Sequence, residues 1–338
     1  MKYNQLTVEE REKIQELLWQ KVSVRAIAKG LGRSASSISR EIIRNQTPKH
    51  HLYRPRLAQG KALERRTHRQ SRKLDTNEEL LRYVKTYLKL GWSPEQIAIK
   101  SREIAGFNIS YETIYQYIYA QVHRGGRGSL KPGKEDLRPY LARRRSRRMK
   151  KGMRKSYRIQ KGPLPSIDHR PEEAKTRTVV GHWEDDSIVY TPTCPIRLRT
   201  TNELTSGLVF IERTRNSTMA DANRITNKRL GGLPPDLLKT LTRDRGSENM
   251  GYAELEERLG INCYFAHSYH SWERGANENL NGLIRRFLPK GTDFRKISDQ
   301  DIAHIEYLLN SRPRKRLGWK TPYEVFYELT GVALRDWM

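Results

Sequence analysis

Cysteine is nearly absent from this chain: Cys194 and Cys263 are the only two, and they lie far apart. Neither a paired-cysteine zinc spacing nor a disulfide framework can be built from them, and a reducing cytosol is the expected setting. Long apolar runs are missing too. No stretch approaches the roughly 20 residues of a membrane-crossing helix, and the opening MKYNQLTVEE is polar rather than signal-like, so no membrane partner is expected. Acidic residues are scarce beside basic ones: 38 Asp plus Glu face 65 Lys plus Arg, a formal net charge of +27. A surplus of that size repels itself, and nucleic acid is the polyanion best suited to relieve it. The hydrophobic share, 36%, is low but permits a packed core, and 338 residues suffice for two or three domains.

What is present falls into four stretches. Residues 1–60 read as helices. Leu6, Ile14, Leu17 and Leu18 mark an apolar face, and VSVRAIAKGLGRSASSISREIIRN follows. There Val24, Ile27 and Leu31 form a short stripe, Gly30 and Gly32 supply a turn, and Ser34 is placed to cap a second helix whose Ile38 and Ile42 point inward. Arg33, Ser36, Ser37 and Arg40 are left facing out. Two short helices with a Gly-containing turn form a helix-turn-helix, whose second helix enters the major groove of double-stranded DNA; an ordinary helical hairpin is the plainer reading. Residues 70–125 form a second helical segment that looks like another helix-turn-helix, less clearly than the first. Ser93-Pro94-Glu95-Gln96 is a capping box with Pro at the first helical position, and Ser110 heads YETIYQYIY with Ile114 and Ile118 facing the core. Residues 126–170 are a basic linker, without an acidic residue from Leu137 to Ile167, in which Arg143, Arg144 and Arg145 would hold phosphates without reading bases. From 171 to 338, β-like runs (WEDDSIVY, GLVFIER, LLKTLTR, INCYFA) alternate with helical ones, which predicts an α/β domain with an antiparallel start.

Three carboxylates stand out in this last stretch. Asp186 lies within the first strand-like run, where acidic residues are poor strand formers. Asp244 ends LLKTLTR beside the turn residues Arg245-Gly246, and Glu278 sits on a helix opposite the stripe Leu280, Leu283, Ile284, Phe287. Singly, they read as an edge-strand charge, a turn former and a solvated helix residue. Brought together they would repel unless a cation sat among them, and oxygen ligands of this kind suit Mg²⁺ or Mn²⁺. Two such ions could activate a water or a 3′-hydroxyl and stabilise a leaving oxygen on a phosphodiester.

The segments GHWEDDSIVY, LLKTLTRDRGSEN, YHSWERGANENLNGLIRRFLPKGTDF and LNSRPRKRLGWKTPYEVF resemble the catalytic signature of bacterial insertion-sequence transposases of the insertion sequence thirty family. RAIAKGLGRSASSISREIIRN resembles that family's helix-turn-helix, so the likeness spans nearly the whole chain. Thirty-three residues separate Asp244 from Glu278, the interval the family shows between its second and third acidic residues. The resemblance implies an RNase H-like catalytic domain, with Asp186 and Asp244 on strands and Glu278 on a following helix. It implies two Mg²⁺ (or Mn²⁺) ions held by this triad, cleavage at terminal inverted repeats, and strand transfer into target DNA without a covalent protein–DNA intermediate. A dimer on DNA, no small-molecule substrate, and a bacterial cytoplasmic, nucleoid-associated setting are implied as well. One position departs from the pattern: Asp185 stands where relatives carry a small residue, which leaves Asp185 and Asp186 both open as the first ligand, with motif position and strand alternation favouring Asp186. Trp272, Arg274, Asn277, Asn279 and Asn281 surround Glu278 as supporting or DNA-contacting residues, and Glu248 is expected to hydrogen-bond near Asp244. The competing readings are a helix-turn-helix regulator whose C-terminal domain only oligomerises, and an RNase H-like nuclease that cuts without integrating.

This division of labour predicts two different DNA-binding phenotypes. Arg40→Ala is expected to weaken binding to the recognised duplex and relax its sequence preference. Neutralising Arg143, Arg144 and Arg145 is expected to weaken binding to every duplex and flatten the salt dependence, as measured by titration over a range of salt. Equal effects of both changes on specific and random DNA would contradict it.

Overall fold

The computed structural model describes residues 5–47, 52–67, 72–141, 164–190, 194–267, 270, 273 and 275–334. They divide into two compact units, Met1–Asn77 and Glu78–Met338.

The first unit is helical: α1 (Val8–Trp19), α2 (Val24–Gly30), α3 (Ala35–Asn45), α4 (Pro55–Thr67) and a short α5 (Lys73–Thr76). Thr7 and Glu10 form a capping box on α1, Ser23 caps α2, and Ser34 caps α3 by accepting from the Ser37 backbone N–H. Between α2 and α3 the chain turns through Gly32 at φ +61°, a left-handed conformation that a side chain resists. Ile14, Ile27, Ala28, Ile38, Tyr53 and Ala58 are buried together, which fixes the angle between the two short helices.

The second unit begins with α6 (Glu78–Lys89), α7 (Pro94–Ala105), α8 (Tyr111–Ala120) and the short α9 (His123–Gly126). The Ser93/Gln96 capping box and the Ser110 cap are both formed, and Ile114 and Ile118 are fully buried. These helices are fastened to the rest of the unit. Arg312 Nη1 donates to Gly91 O at 2.8 Å, and Gln96 Nε2 donates to Pro313 O at 2.5 Å. Burial pushes the Arg312 guanidinium down to about 9.

After the short α10 (Glu172–Thr176) comes one five-stranded sheet: β1 (His182–Val189), β2 (Arg197–Glu203), β3 (Val209–Arg213), β4 (Thr240–Arg243) and β5 (Asn262–Phe265). Their spatial order is β3-β2-β1-β4-β5, with β1, β2 and β3 antiparallel and β4 and β5 parallel to β1. A meander extended by parallel strands on the far side of its first strand is the RNase H-like arrangement. Helices cover both faces. Trp183, Leu241 and Cys263 pack with Leu230 of α11 (Met219–Leu230), Leu255 of α12 (Tyr252–Leu259) and Phe326 of α15 (Pro322–Thr330). On the other face Ile188, Leu198, Val209 and Ile211 pack with α13 (Gly275–Phe287) and α14 (Asp299–Asn310).

β2 was not among the expected strands. Its sequence RLRTTNE is polar apart from Leu198, and a half-buried strand should alternate. The strand lies between β1 and β3 with both faces covered, so its polar groups are buried against partners rather than solvent: Arg199, Thr200, Thr201 and Glu203 are all 2% exposed or less. Among the described residues no helix is long and apolar enough to cross a membrane.

Candidate active site and DNA-reading helix

β1 is the central strand, and its two neighbouring aspartates face opposite sides. Asp185 is fully buried on the face of Trp183. The guanidinium of Arg199 on β2 donates to its Oδ2, and Arg243 Nε on β4 lies 3.1 Å from the same oxygen. Arg199 also donates to Asn249 Oδ1 at 2.9 Å. Burial lowers the Arg243 pKa from its usual range, and Asp185 beside it pulls the other way. Asp185 is thus committed to a buried ion cluster that joins β2, β1 and β4.

Asp186 points to the opposite face, the one that carries Ile188 and α13. The parallel ladder sets His182 opposite Thr240, Trp183 opposite Leu241 and Glu184 opposite Thr242. Continued two residues, that register brings Asp186 beside Asp244, which follows β4 directly. Adjacent strands lie about 4.8 Å apart and paired residues share a face. Asn281 Nδ2 on α13 donates to Asp186 Oδ2 at 2.7 Å, and Asn277 Nδ2, one turn earlier, donates to Asp185 O at 3.2 Å. These two bonds hold α13 across β1. Glu278, between them in sequence, is exposed, as is Asn279.

Asp244 Oδ1 accepts from Gly246 N at 2.9 Å and from Asn249 Nδ2 at 2.6 Å. Asn249 was not anticipated beside Asp244; Glu248, expected to hydrogen-bond nearby, accepts from Arg197 Nη1. The reason is the tight turn at Ser247–Asn249, which sends Glu248 toward β2 and folds Asn249 back over Asp244. A Cβ at Gly246 would stand 2.7 Å from Glu248 Oε2 and 2.9 Å from Asp244 Oδ1, so a side chain there would push these two carboxylates aside. Nothing in the sequence marked Asn249 or the arginines of β2 and β4; the one usable hint was the turn-forming DRGSEN itself.

The acidic three are not gathered into one tight cage. Among the described residues, the His/Cys/Asp/Glu group whose ligand atoms all lie within 4.8 Å of one another is His267, His270 and Glu273 instead. The β1–β4 ladder ends at Glu184 and Thr242, two residues before Asp186 and Asp244, and Glu278 lies on α13, which is bonded to β1 through Asn277 and Asn281. Trp272 and Arg274 lie outside the described residues, as do Arg143, Arg144 and Arg145.

On the helix-turn-helix, Ser36 and Arg40 are exposed on α3 and joined through Arg40 Nε donating to Ser36 O at 3.0 Å. Ser37 is partly exposed and shares the cap of Ser34. Arg33 does not project outward as expected. It precedes α3 in the turn, and its guanidinium pairs with Glu10 of α1, with Nε 2.8 Å from Oε1.

A helix-turn-helix domain model matches residues 2–45. The chain is 36% identical over 327 residues to the transposase for insertion sequence element IS4351 of Bacteroides fragilis, covering 96% of each chain. It is 33% identical over 343 residues to transposase InsI for insertion sequence element IS30A of Escherichia coli (strain K12), covering 98% of this chain and 85% of that one. A crystal structure of the catalytic core domain of BIV integrase overlaps 44% of this chain and 94% of its own, at 18% identity and a TM-score of 0.35.

The neighbouring aspartates should separate on denaturation. Asp185→Asn leaves two buried guanidiniums uncompensated and is expected to cost about 3–5 kcal/mol. Asp186→Asn removes one partly exposed group and should cost about 1 kcal/mol. Urea unfolding of the two variants checks this, and comparable losses would contradict the assignment of the two faces.

Proposed function

This chain belongs to the IS30 family of insertion-sequence transposases, and we propose that it cuts and rejoins DNA through Asp186, Asp244 and Glu278. The observation that supports this reading is the β1–β4 register, which brings Asp186 and Asp244 to adjacent places on one face of the sheet, beneath the helix that carries Glu278. Oxygen donors alone, two of them on rigid central strands, fit a hard divalent cation. Asp186, Asp244 and Glu278 would hold Mg²⁺ or Mn²⁺, two ions per site, and bound there the ions supply positive charge to the attacked phosphate and its leaving oxygen.

The chain's own side chains do the rest. Asn249 and Gly246 aim the Asp244 carboxylate, and Asn281 aims that of Asp186, so neither must search rotamers when substrate arrives. Glu278, exposed on α13, is the adjustable member, drawn toward the two aspartates as the site fills. α3 of the helix-turn-helix reads the terminal inverted repeats through Ser36, Ser37 and Arg40, and the basic stretch around Arg143–Arg145 grips phosphates. Two copies of the chain hold the two element ends while target DNA is joined.

The test uses purified protein, a labelled element-end duplex and Mg²⁺. Wild type is expected to nick the end and, given a second DNA molecule, to yield joined products; a nuclease would nick without joining, and a regulator would do neither. Asp186→Asn, Asp244→Ala and Glu278→Ala should show no cleavage above background while retaining end binding. Asn281→Ala, which removes a partner of one proposed ligand, should lose about 10–100-fold in activity. Undiminished nicking by the Asp244 or Glu278 variant would overturn the assignment.

A further inference from the structure

A second cluster of metal-binding side chains stands where β5 gives way to α13. His267 follows the end of β5, and Glu273 precedes the start of α13. His267 Nδ1 and His270 Nδ1 lie 2.9 Å and 3.0 Å from the same oxygen, Glu273 Oε1. The other oxygen of Glu273 accepts from the His267 backbone N–H at 2.9 Å. On its far side, His267 Nε2 is 3.1 Å from Asp168 Oδ2.

We infer that His267, His270 and Glu273 bind one divalent transition-metal ion of the zinc class, through the two Nδ1 atoms and Glu273 Oε1. Two imidazoles and a carboxylate are the donor set of an open zinc site, in which a fourth position is left to solvent or to an incoming oxygen. Zn–N and Zn–O bonds of about 2.0–2.2 Å set tetrahedral neighbours roughly 3.3–3.5 Å apart. The two nitrogen–oxygen pairs need to part by only a few tenths of an ångström to admit the ion, and all three ligand atoms lie within 4.8 Å of one another. The side chains of His267, His270 and Glu273 are 33%, 44% and 18% exposed, so the ion has a way in.

Asp168 makes the arrangement more than a chance meeting of polar groups. A carboxylate on the remote nitrogen of an imidazole fixes the ring's orientation and strengthens its ligating nitrogen. Asp168 holds Nε2 of His267, which leaves Nδ1 as the ligating atom, and Nδ1 is the one that faces Glu273. Asp168 arrives from the turn Ile167–His169, anchored to β5 by a bridge between Ser166 and Phe265. The ion would therefore tie this turn, the end of β5 and the approach to α13 together, steadying the helix that carries Glu278. Its chemistry differs from that of the acidic face, which offers oxygen alone and suits harder cations.

The experiment uses the full-length, tag-free protein, stripped with chelator and titrated with Co²⁺. One equivalent should bind with the visible absorption of a tetrahedral nitrogen/oxygen site, and one equivalent of Zn²⁺ should displace it. His270→Ala and Glu273→Gln should abolish the band, with circular dichroism confirming that both fold; Glu273→Gln preserves the side chain's shape should the alanine variant fail. Asp168→Asn should weaken binding about tenfold. Asp244→Asn, altered only at the acidic site, should leave the band unchanged. No band in wild type, or a band kept by Glu273→Gln and lost by Asp244→Asn, would overturn the inference. The readout is metal binding alone, so it stands or falls separately from the cleavage assay.

Discussion

The parallel registration of β1 against β4 is the constraint on which the candidate site depends, and a buried ion cluster holds it. One carboxylate, Asp185, serves two guanidiniums that are themselves at most 1% exposed. Two cations on one anion leave a buried positive excess, and desolvating it is expensive. Part of the compensation comes from Asn249, whose carbonyl oxygens accept from both arginines. The same Asn249 side chain turns its amide to Asp244 on the far side of the strand. A cluster on one face thus fixes the register, and the register, by alternation along β1, sets what the other face presents.

The opposite face is aligned by packing. Leu280, Ile284 and Leu288 press α13 onto Ile188, Leu198, Val209 and Ile211, and this contact carries Asn277 and Asn281 over β1. α14 then seals the outer edge of the sheet. Asn310 exchanges hydrogen bonds with the backbone of Val209 on β3, and Glu306 accepts from Ile211 N at 2.5 Å. An edge strand left open would pair with another chain; here its groups are satisfied by side chains from a helix. Arg229 of α11 stands against Glu306, so that buried carboxylate is itself paired. The sheet is therefore rigid from its outer edge to β4, while Glu278 remains exposed on a helix held mainly by its other side.

Features set by neighbours in sequence could be read in advance. The Ser34, Ser93 and Ser110 caps, the Pro94 start, and the inward Ile38, Ile114 and Ile118 depend on residues three or four places away. Alternation likewise separated Asp185 from Asp186. What could not be read depended on partners brought from a distance. β2 looks like a solvated loop until Asp185 is placed beside Arg199. Arg33 looks like an outward cation until α1 delivers Glu10 to it. Asn249, unmarked in the sequence, bonds Asp244 because the backbone turn at Ser247–Asn249 folds it back, while Glu248 accepts from Arg197. The meeting of His267 with Asp168 is of the same kind, since it needs a turn laid along β5 that precedes the whole sheet in sequence.

The charge balance belongs to the same physics. A formal +27 overstates neither the protein's affinity for polyanions nor its internal repulsion until the acidic residues are located. Several are interior: Asp185, Glu184, Glu203 and Glu306 are all buried. Glu203 accepts from Ser206 N and Oγ, and burial raises its pKa against those hydrogen bonds. Others are spent on caps, as Glu10, Glu324 and Asp301 are. Asp186, Asp244 and Glu278 are different, because they stand at least partly open to solvent. In the proposed site they would make an acidic spot in a strongly basic chain, and a phosphodiester drawn there by the basic surroundings would be repelled at the last step. A divalent cation held there would reverse the sign at that one place. That is the physical reason a strongly basic DNA-binding chain would keep carboxylates at the point of closest approach.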